Sequence, residues 1–230
     1  MKKVNSLFDV IGPVMIGPSS SHTAGAAKLA KIAGAFADGC IEHAEFHLHG
    51  SFRETYRGHG TDRALVAGIL GLDPHDTTLR TSFELADERG LSYEFIPADL
   101  GLVHPNTVRF VLRTKDGKTS DITGSSIGGG EVLITDVNGF AVSFSGNYST
   151  LITRHRDVEG VVAAVAGILA ENSVNIATLN LSRTHKGREA SMIIETDGCV
   201  SDDVLDRIRA LPAMLSLMNI EPVKAGDIDV

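Results

Sequence analysis

Two short segments of this chain combine residues able to bind an anion and to move a proton. The first, Gly17-Pro18-Ser19-Ser20-Ser21-His22-Thr23-Ala24-Gly25, stands immediately ahead of a run with helical apolar spacing. Pro18 restricts the approach, and the serines can cap. The first turn of a helix leaves backbone N–H groups without intrahelical partners, and the positive pole of the helix lies there. A carboxylate or phosphate suits such an end. A well-capped helix with two surplus serines fits the same letters.

The second segment, Gly58-His59-Gly60-Thr61-Asp62, also leads into a helix. Flanking glycines let the backbone take positive φ or approach a ligand closely, and they leave the imidazole uncovered. Histidine titrates near neutrality, so His59 can remove or return a proton, unless it is simply a loop residue. Asp62 either orients it or caps the helix.

Other candidates are weaker. His43, His47 and His49 alternate with Phe46, Leu48 and Gly50, which reads as a strand with one polar face rather than a metal site. His104-Pro105-Asn106-Thr107 opens a strand, and Gly124 to Gly130 is expected to separate two others. Asp157-Val158-Glu159-Gly160 is either a tight turn or a small-ligand notch.

The elements that position these residues follow from periodicity. Leu29, Ile32, Ala33 and Phe36 mark one helix face, and Leu65, Val66, Ile69 and Leu70 mark another ending at Gly71. A third helix is expected over Ser82 to Arg89, stopped by Gly90. Asp116-Gly117 and Asn138-Gly139 are hairpin signals. A composition change at Ser145-Gly146-Asn147 divides the chain into 1–146 and 147–230. Beyond it come a strand to Arg154, a helix carrying Val158, Val161, Val162, Val165, Ile168 and Leu169, and a hairpin about His185-Lys186-Gly187. A helix behind Ser201-Asp202-Asp203 and a strand between Leu215 and Val223 complete the order. That order, βαββαβ, is ferredoxin-like, and the fold class is α+β, with a mixed α/β first domain.

Composition bounds the function. The 230 residues carry 21 basic and 29 acidic side chains, a formal charge of −8, which argues against a nucleic-acid footprint and a polybasic membrane anchor. No apolar stretch approaches the roughly 20 residues that span a bilayer. The start, Met1-Lys2-Lys3-Val4-Asn5, does not read as a secretory signal, so a cytoplasmic location is expected. Cys40 and Cys199 give no disulfide framework and are expected as two isolated buried thiols.

Taken in order, the serine segment, Gly50-Ser51-Phe52, Gly58 to Asp62, His104-Pro105-Asn106 and Ser126-Ile127-Gly128-Gly129-Gly130 closely resemble the β-subunit of iron-sulfur-dependent bacterial L-serine dehydratase. The part from Tyr148 onward resembles an ACT domain, with Glu159 where a proline often precedes the glycine. The resemblance implies conversion of L-serine to pyruvate and ammonia with a 4Fe-4S cluster as Lewis acid. Several thiolates hold such a cluster, and two distant cysteines cannot supply them. A cysteine-bearing α-subunit is therefore the expected partner, with self-association through the ACT domain. By the same resemblance His59 is the candidate base. Ser19, Ser20, Ser21, His22 and Thr23 are expected to line the carboxylate pocket, with Gly60, Thr61, Asp62, His104 and Asn106 as further substrate contacts. A rival assignment makes His22 the base. A second reading, from another class, is a non-catalytic amino-acid-binding regulator.

Overall fold

The computed structural model describes residues 17–37, 39–183 and 185–222, so the expectations for the N-terminal segment and for Val223 lie outside the described residues. Packing divides the chain into two units, at Gly139–Phe140.

In the first unit, a π-helical turn, Ser20–Ala24, runs directly into helix α1, Gly25–Ala35. The chain continues through β1 (Ile41–Leu48), α2 (Gly50–Thr55), α3 (Thr61–Ile69), α4 (Ser82–Arg89) and β2 (Ser92–Pro97). Strands β3 (Thr107–Thr114), β4 (Thr119–Gly128) and β5 (Glu131–Val137) follow. Within the first unit the strand order is β2-β1-β3-β4-β5, with β1 and β2 parallel and the remaining pairs antiparallel.

Helix α1 is alanine-rich, a composition of high helix propensity that also keeps the helix thin. It buries Leu29, Ile32 and Ala33 on the face expected from their spacing, and Phe36 closes it. The helix lies over β3, β4 and β5. Strand β1 alternates as a half-buried strand should: Ala44, Phe46 and Leu48 point to the core. The rings of Phe46 and Phe110 meet edge to face at 5.8 Å. Helix α4 has the expected bounds and ends on Gly90 at φ 69°, the left-handed cap that glycine adopts without strain.

One strand boundary differs from the expectation. Gly124 to Gly128 belong to β4, and only Gly129-Gly130 turn the chain. Gly124 is a packing residue: a Cβ there would lie 2.8 Å from Leu29 Cδ2 and from Ile134 Cδ1. Its missing side chain lets α1 settle on the sheet.

The second unit begins with β6 (Phe140–Phe144), reached through Asn138 and Gly139 at φ 53° and 80°, the paired positive angles of a tight hairpin turn. The division precedes the composition change at 145–147 because β6 packs with later strands, and Ser145 donates to the Glu195 carboxylate at 3.3 Å. Then come β7 (Ser149–Arg156), α5 (Val161–Glu171), β8 (Ile176–Arg183), β9 (Glu189–Thr196), α6 (Asp202–Arg209) and β10 (Met214–Ile220). The sheet order β10-β7-β9-β8, all antiparallel, is ferredoxin-like. Leu151, Val165, Leu169, Met192, Ile194 and Ile208 form its core.

Two sequence expectations fail here. Val158, counted in the helical stripe, lies before α5 and is exposed, because Gly160 at φ 87° starts the helix after it. Both cysteines are free and exposed rather than buried: Cys40 sits ahead of β1 and Cys199 in the turn before α6. No described helix is long and apolar enough to cross a membrane.

Candidate active site

The serine run does not precede the helix; it forms its first turn. Ser19 is the N-cap, with extended backbone, and its Oγ accepts from the His22 N–H at 3.2 Å. The turn is pressed onto β4, since a Cβ at Gly25 would lie 2.0 Å from Ser126 Oγ. Helix α1 also packs closely beside α3, whose start carries the second motif. Two segments far apart in sequence are thereby brought together: the ring centroids of His22 and His59 lie 4.8 Å apart.

The two imidazoles have different surroundings. His22 Nδ1 lies 3.4 Å from Ser19 Oγ and 3.3 Å from Ser21 Oγ, and its Nε2 lies 3.0 Å from Ser51 Oγ. Phe52 meets the same ring edge-on at 5.3 Å. By contrast His59 Nδ1 is buried with no partner among the described residues, as are the hydroxyls of Thr61 and Ser126. Buried polar atoms without partners are uncommon, and three of them lie on the segments that carry these motifs and on β4 beside α1.

Burial, with His59 as a second cause, holds the His22 imidazole below its ordinary value of 6.5. The unfolded chain therefore binds this proton more readily than the folded one, so His22 makes the fold less stable as pH falls below about 6.5. His22→Gln is expected to flatten the decline in urea midpoint between about pH 7 and pH 5. An equal slope in the variant and the unsubstituted chain would remove His22 as a cause.

Of the remaining expected residues, Thr23 and Gly60 to Asp62 adjoin this pair, whereas no contact among the described residues brings the His104 or Asn106 side chain to it. Ser20 supplies the carbonyl that accepts from Gly25 N–H, and Thr23, almost wholly buried, donates its hydroxyl to the His59 carbonyl at 3.1 Å. Gly60 takes φ 67° at the start of α3, and Thr61 follows it, buried. Asp62 Oδ1 accepts from the Arg63 N–H at 2.8 Å, which is the capping option. Burial raises its carboxyl above the ordinary value, against the pull of that N–H. His104 is exposed and turned to its own backbone, with Nδ1 accepting from Asn106 N–H at 3.1 Å. The Asn106 carbonyl accepts from Ser126 N–H at 2.9 Å.

Ser51 is the contact that sequence reading did not assign. Its signal is the Gly50-Ser51 pair directly after β1. Gly50 takes φ 54°, and a Cβ there would lie 2.6 Å from the Pro105 carbonyl oxygen. Ser51 N–H donates to that oxygen at 2.8 Å, which fixes the serine beside His22.

The β1 histidines go to separate partners. His47 pairs with Glu45 at 2.9 Å, His43 with Ser92 at 2.7 Å, and His49 accepts from Leu100 N–H at 3.1 Å. In the second unit Asp157, Val158 and Glu159 of the expected notch line an open surface depression of about 700 Å³ with Arg183, Lys186 and Gly187. The Gly187 N–H, 2.8 Å from Asp157 Oδ2, holds that carboxyl below its ordinary value.

Fold and site together define a chain of two α+β units, the first with paired imidazoles at helix starts and the second of ACT type. A family model described as serine dehydratase beta chain matches residues 6–93, and an ACT domain model matches residues 149–213. The chain is 41% identical over 218 residues to the probable L-serine dehydratase β chain of Bacillus subtilis (strain 168), covering 95% of this chain and 99% of that one. It is 41% identical over 217 residues to the L-serine dehydratase β chain of Peptoniphilus asaccharolyticus, covering 94% and 98%. A more distant likeness, 29% over 160 residues, reaches the D-3-phosphoglycerate dehydrogenase of Bacillus subtilis, covering 69% of this chain and 30% of that protein. The chain belongs to the L-serine dehydratase β-chain family.

Proposed function

We propose that this chain is the substrate-holding half of an L-serine dehydratase, which forms pyruvate and ammonia from L-serine together with a cysteine-bearing α-subunit. The observation that carries the reading is the His22–His59 pair at the starts of two helices, beside a hydroxyl-rich turn. Elimination needs an anchor for the carboxylate, a base for the Cα proton and an electrophile for the departing hydroxyl. The turn at Ser19, Ser20 and Ser21 suits the anchor, with hydroxyls and a positive helix pole on one side. His59 suits the base, because its Nδ1 is unpartnered while both ring nitrogens of His22 face hydroxyls. His22, disfavoured as a cation, limits the positive charge beside it. Thr61 and Ser126 offer unpartnered hydroxyls, and Asn106 and His104 stand on the adjoining loop as outer contacts.

A 4Fe-4S cluster does not fit this chain. Its cysteines are two, Cys40 and Cys199, lying in separate compact units, and among the described residues no three His, Cys, Asp or Glu side chains gather as ligands. The cluster is assigned to the partner, and with it the electrophile. Self-association is assigned to the second unit, where the edge strand β8 exposes Leu179 and Leu181.

The ACT domain match favours a second reading, an amino-acid-binding regulator without catalysis. Anaerobic mixing with a cysteine-rich candidate α-subunit separates the two. The dehydratase reading expects pyruvate from L-serine in the mixture and from neither chain alone.

A further inference from the structure

We propose that Thr23 is a positioning residue: its hydroxyl ties the His59 loop to the His22 turn and so sets the separation of the two imidazoles. The inference rests on the dehydratase reading of that pair. Thr23 sits between His22 and the start of α1 and is 1% exposed, so its side chain faces protein on all sides. Its backbone N–H donates to the Ser19 carbonyl at 2.9 Å, which holds it within the turn. Gly17 packs against the whole side chain: a Cβ there would lie 2.5 Å from Thr23 Cγ2 and 2.6 Å from its Oγ1. The hydroxyl donates to the His59 carbonyl oxygen 3.1 Å away and 36 positions further along the chain.

The tether acts where the chain is otherwise permissive. His59 lies between two glycines, and Gly60 takes a left-handed conformation. On one side of the loop His59 N–H donates to the Thr55 carbonyl, and on the other Thr61 N–H donates to the Tyr56 carbonyl. Those bonds tie the loop to α2. The Thr23 bond ties it to the serine turn, which carries His22. A misplacement on the order of 1 Å in a reacting group costs roughly 100-fold in rate, so one hydroxyl bond at this point has leverage on turnover.

Among the described residues, the groups facing His22 are Ser19, Ser21, Ser51, Phe52 and His59, and His59 is the one of them that can carry charge. Burial is the larger cause of the low His22 midpoint and His59 the second, so release of the His59 loop removes the smaller part and moves the midpoint upward.

The test uses Thr23→Val and Thr23→Ser in the full chain, with Thr23→Ala taking the place of Val if that variant does not fold. In the assembled enzyme Thr23→Val is expected to lower kcat by about 10- to 100-fold with a smaller change in KM, and Thr23→Ser to restore most of the turnover. In the chain without partner, the His22 ring titration, followed by NMR, is expected to move upward in Thr23→Val and to return in Thr23→Ser. Turnover equal to the unsubstituted enzyme, equal loss in Thr23→Ser, or an unmoved His22 midpoint overturns the proposal. The titration needs no catalysis. Failure of the dehydratase reading, seen as absence of pyruvate from the unsubstituted complex, is therefore distinguishable from failure of the tether.

Discussion

Replacement of His59 by glutamine is expected to lower turnover of the assembled dehydratase by about 10²–10⁴-fold, the range general acid–base catalysis contributes. L-Serine binding is expected to persist. Glutamine keeps a polar side chain in the loop but cannot take a proton from carbon. The serine turn is untouched, because the hydroxyls facing His22 come from Ser19, Ser21 and Ser51. Exchange of the serine Cα proton with solvent reads the step directly. Exchange at the normal rate in the variant would transfer the role of base to His22.

Gly68→Ala is expected to destabilise the first unit and to impair the site from a distance. Alanine is the better helix former by about 1 kcal/mol, so propensity alone predicts a gain. The geometry decides otherwise: a Cβ at Gly68 would lie 2.3 Å from the Ala27 carbonyl oxygen and 2.8 Å from the Lys31 nitrogen. These are backbone atoms of α1, which no rotamer change moves aside. Overpacking of this kind costs about 1–3 kcal/mol, and a backbone clash belongs at the upper end, so a net loss is expected in urea denaturation. Helices α1 and α3 must part to admit the methyl, and the segments leading into them carry His22 and His59. Turnover in the folded fraction should fall as well. A variant as stable as the unsubstituted chain would show that the helices separate freely and that their contact does not hold the pair.

Much of the scaffold was legible because its signals are local. The spacing of Leu29, Ile32 and Ala33 marked the buried face of α1, Gly90 marked the end of α4, and alternation marked β1 and the second unit's hairpin. Both histidine motifs could be read as segments. Their meeting could not, since it depends on an interhelical approach that Gly68 permits 43 positions after Gly25. Ser51 escaped assignment for the same reason: its place beside His22 is set by Gly50 against Pro105, a contact across the end of the sheet. The glycine at 124 read as a loop because its purpose, room for Leu29 and Ile134, belongs to packing. Val158 kept helical spacing by coincidence, and Cys40 and Cys199 are small apolar side chains that lie outside the core.

The account stands on a site completed by two polypeptides, and anaerobic reconstitution measures that most directly. Purified chain, purified cysteine-rich partner and their mixture are each supplied with L-serine, and pyruvate is followed over time. Pyruvate in the mixture alone, lost on His59→Gln, is the predicted result. Pyruvate from this chain by itself, or an active mixture indifferent to His59→Gln, would contradict it.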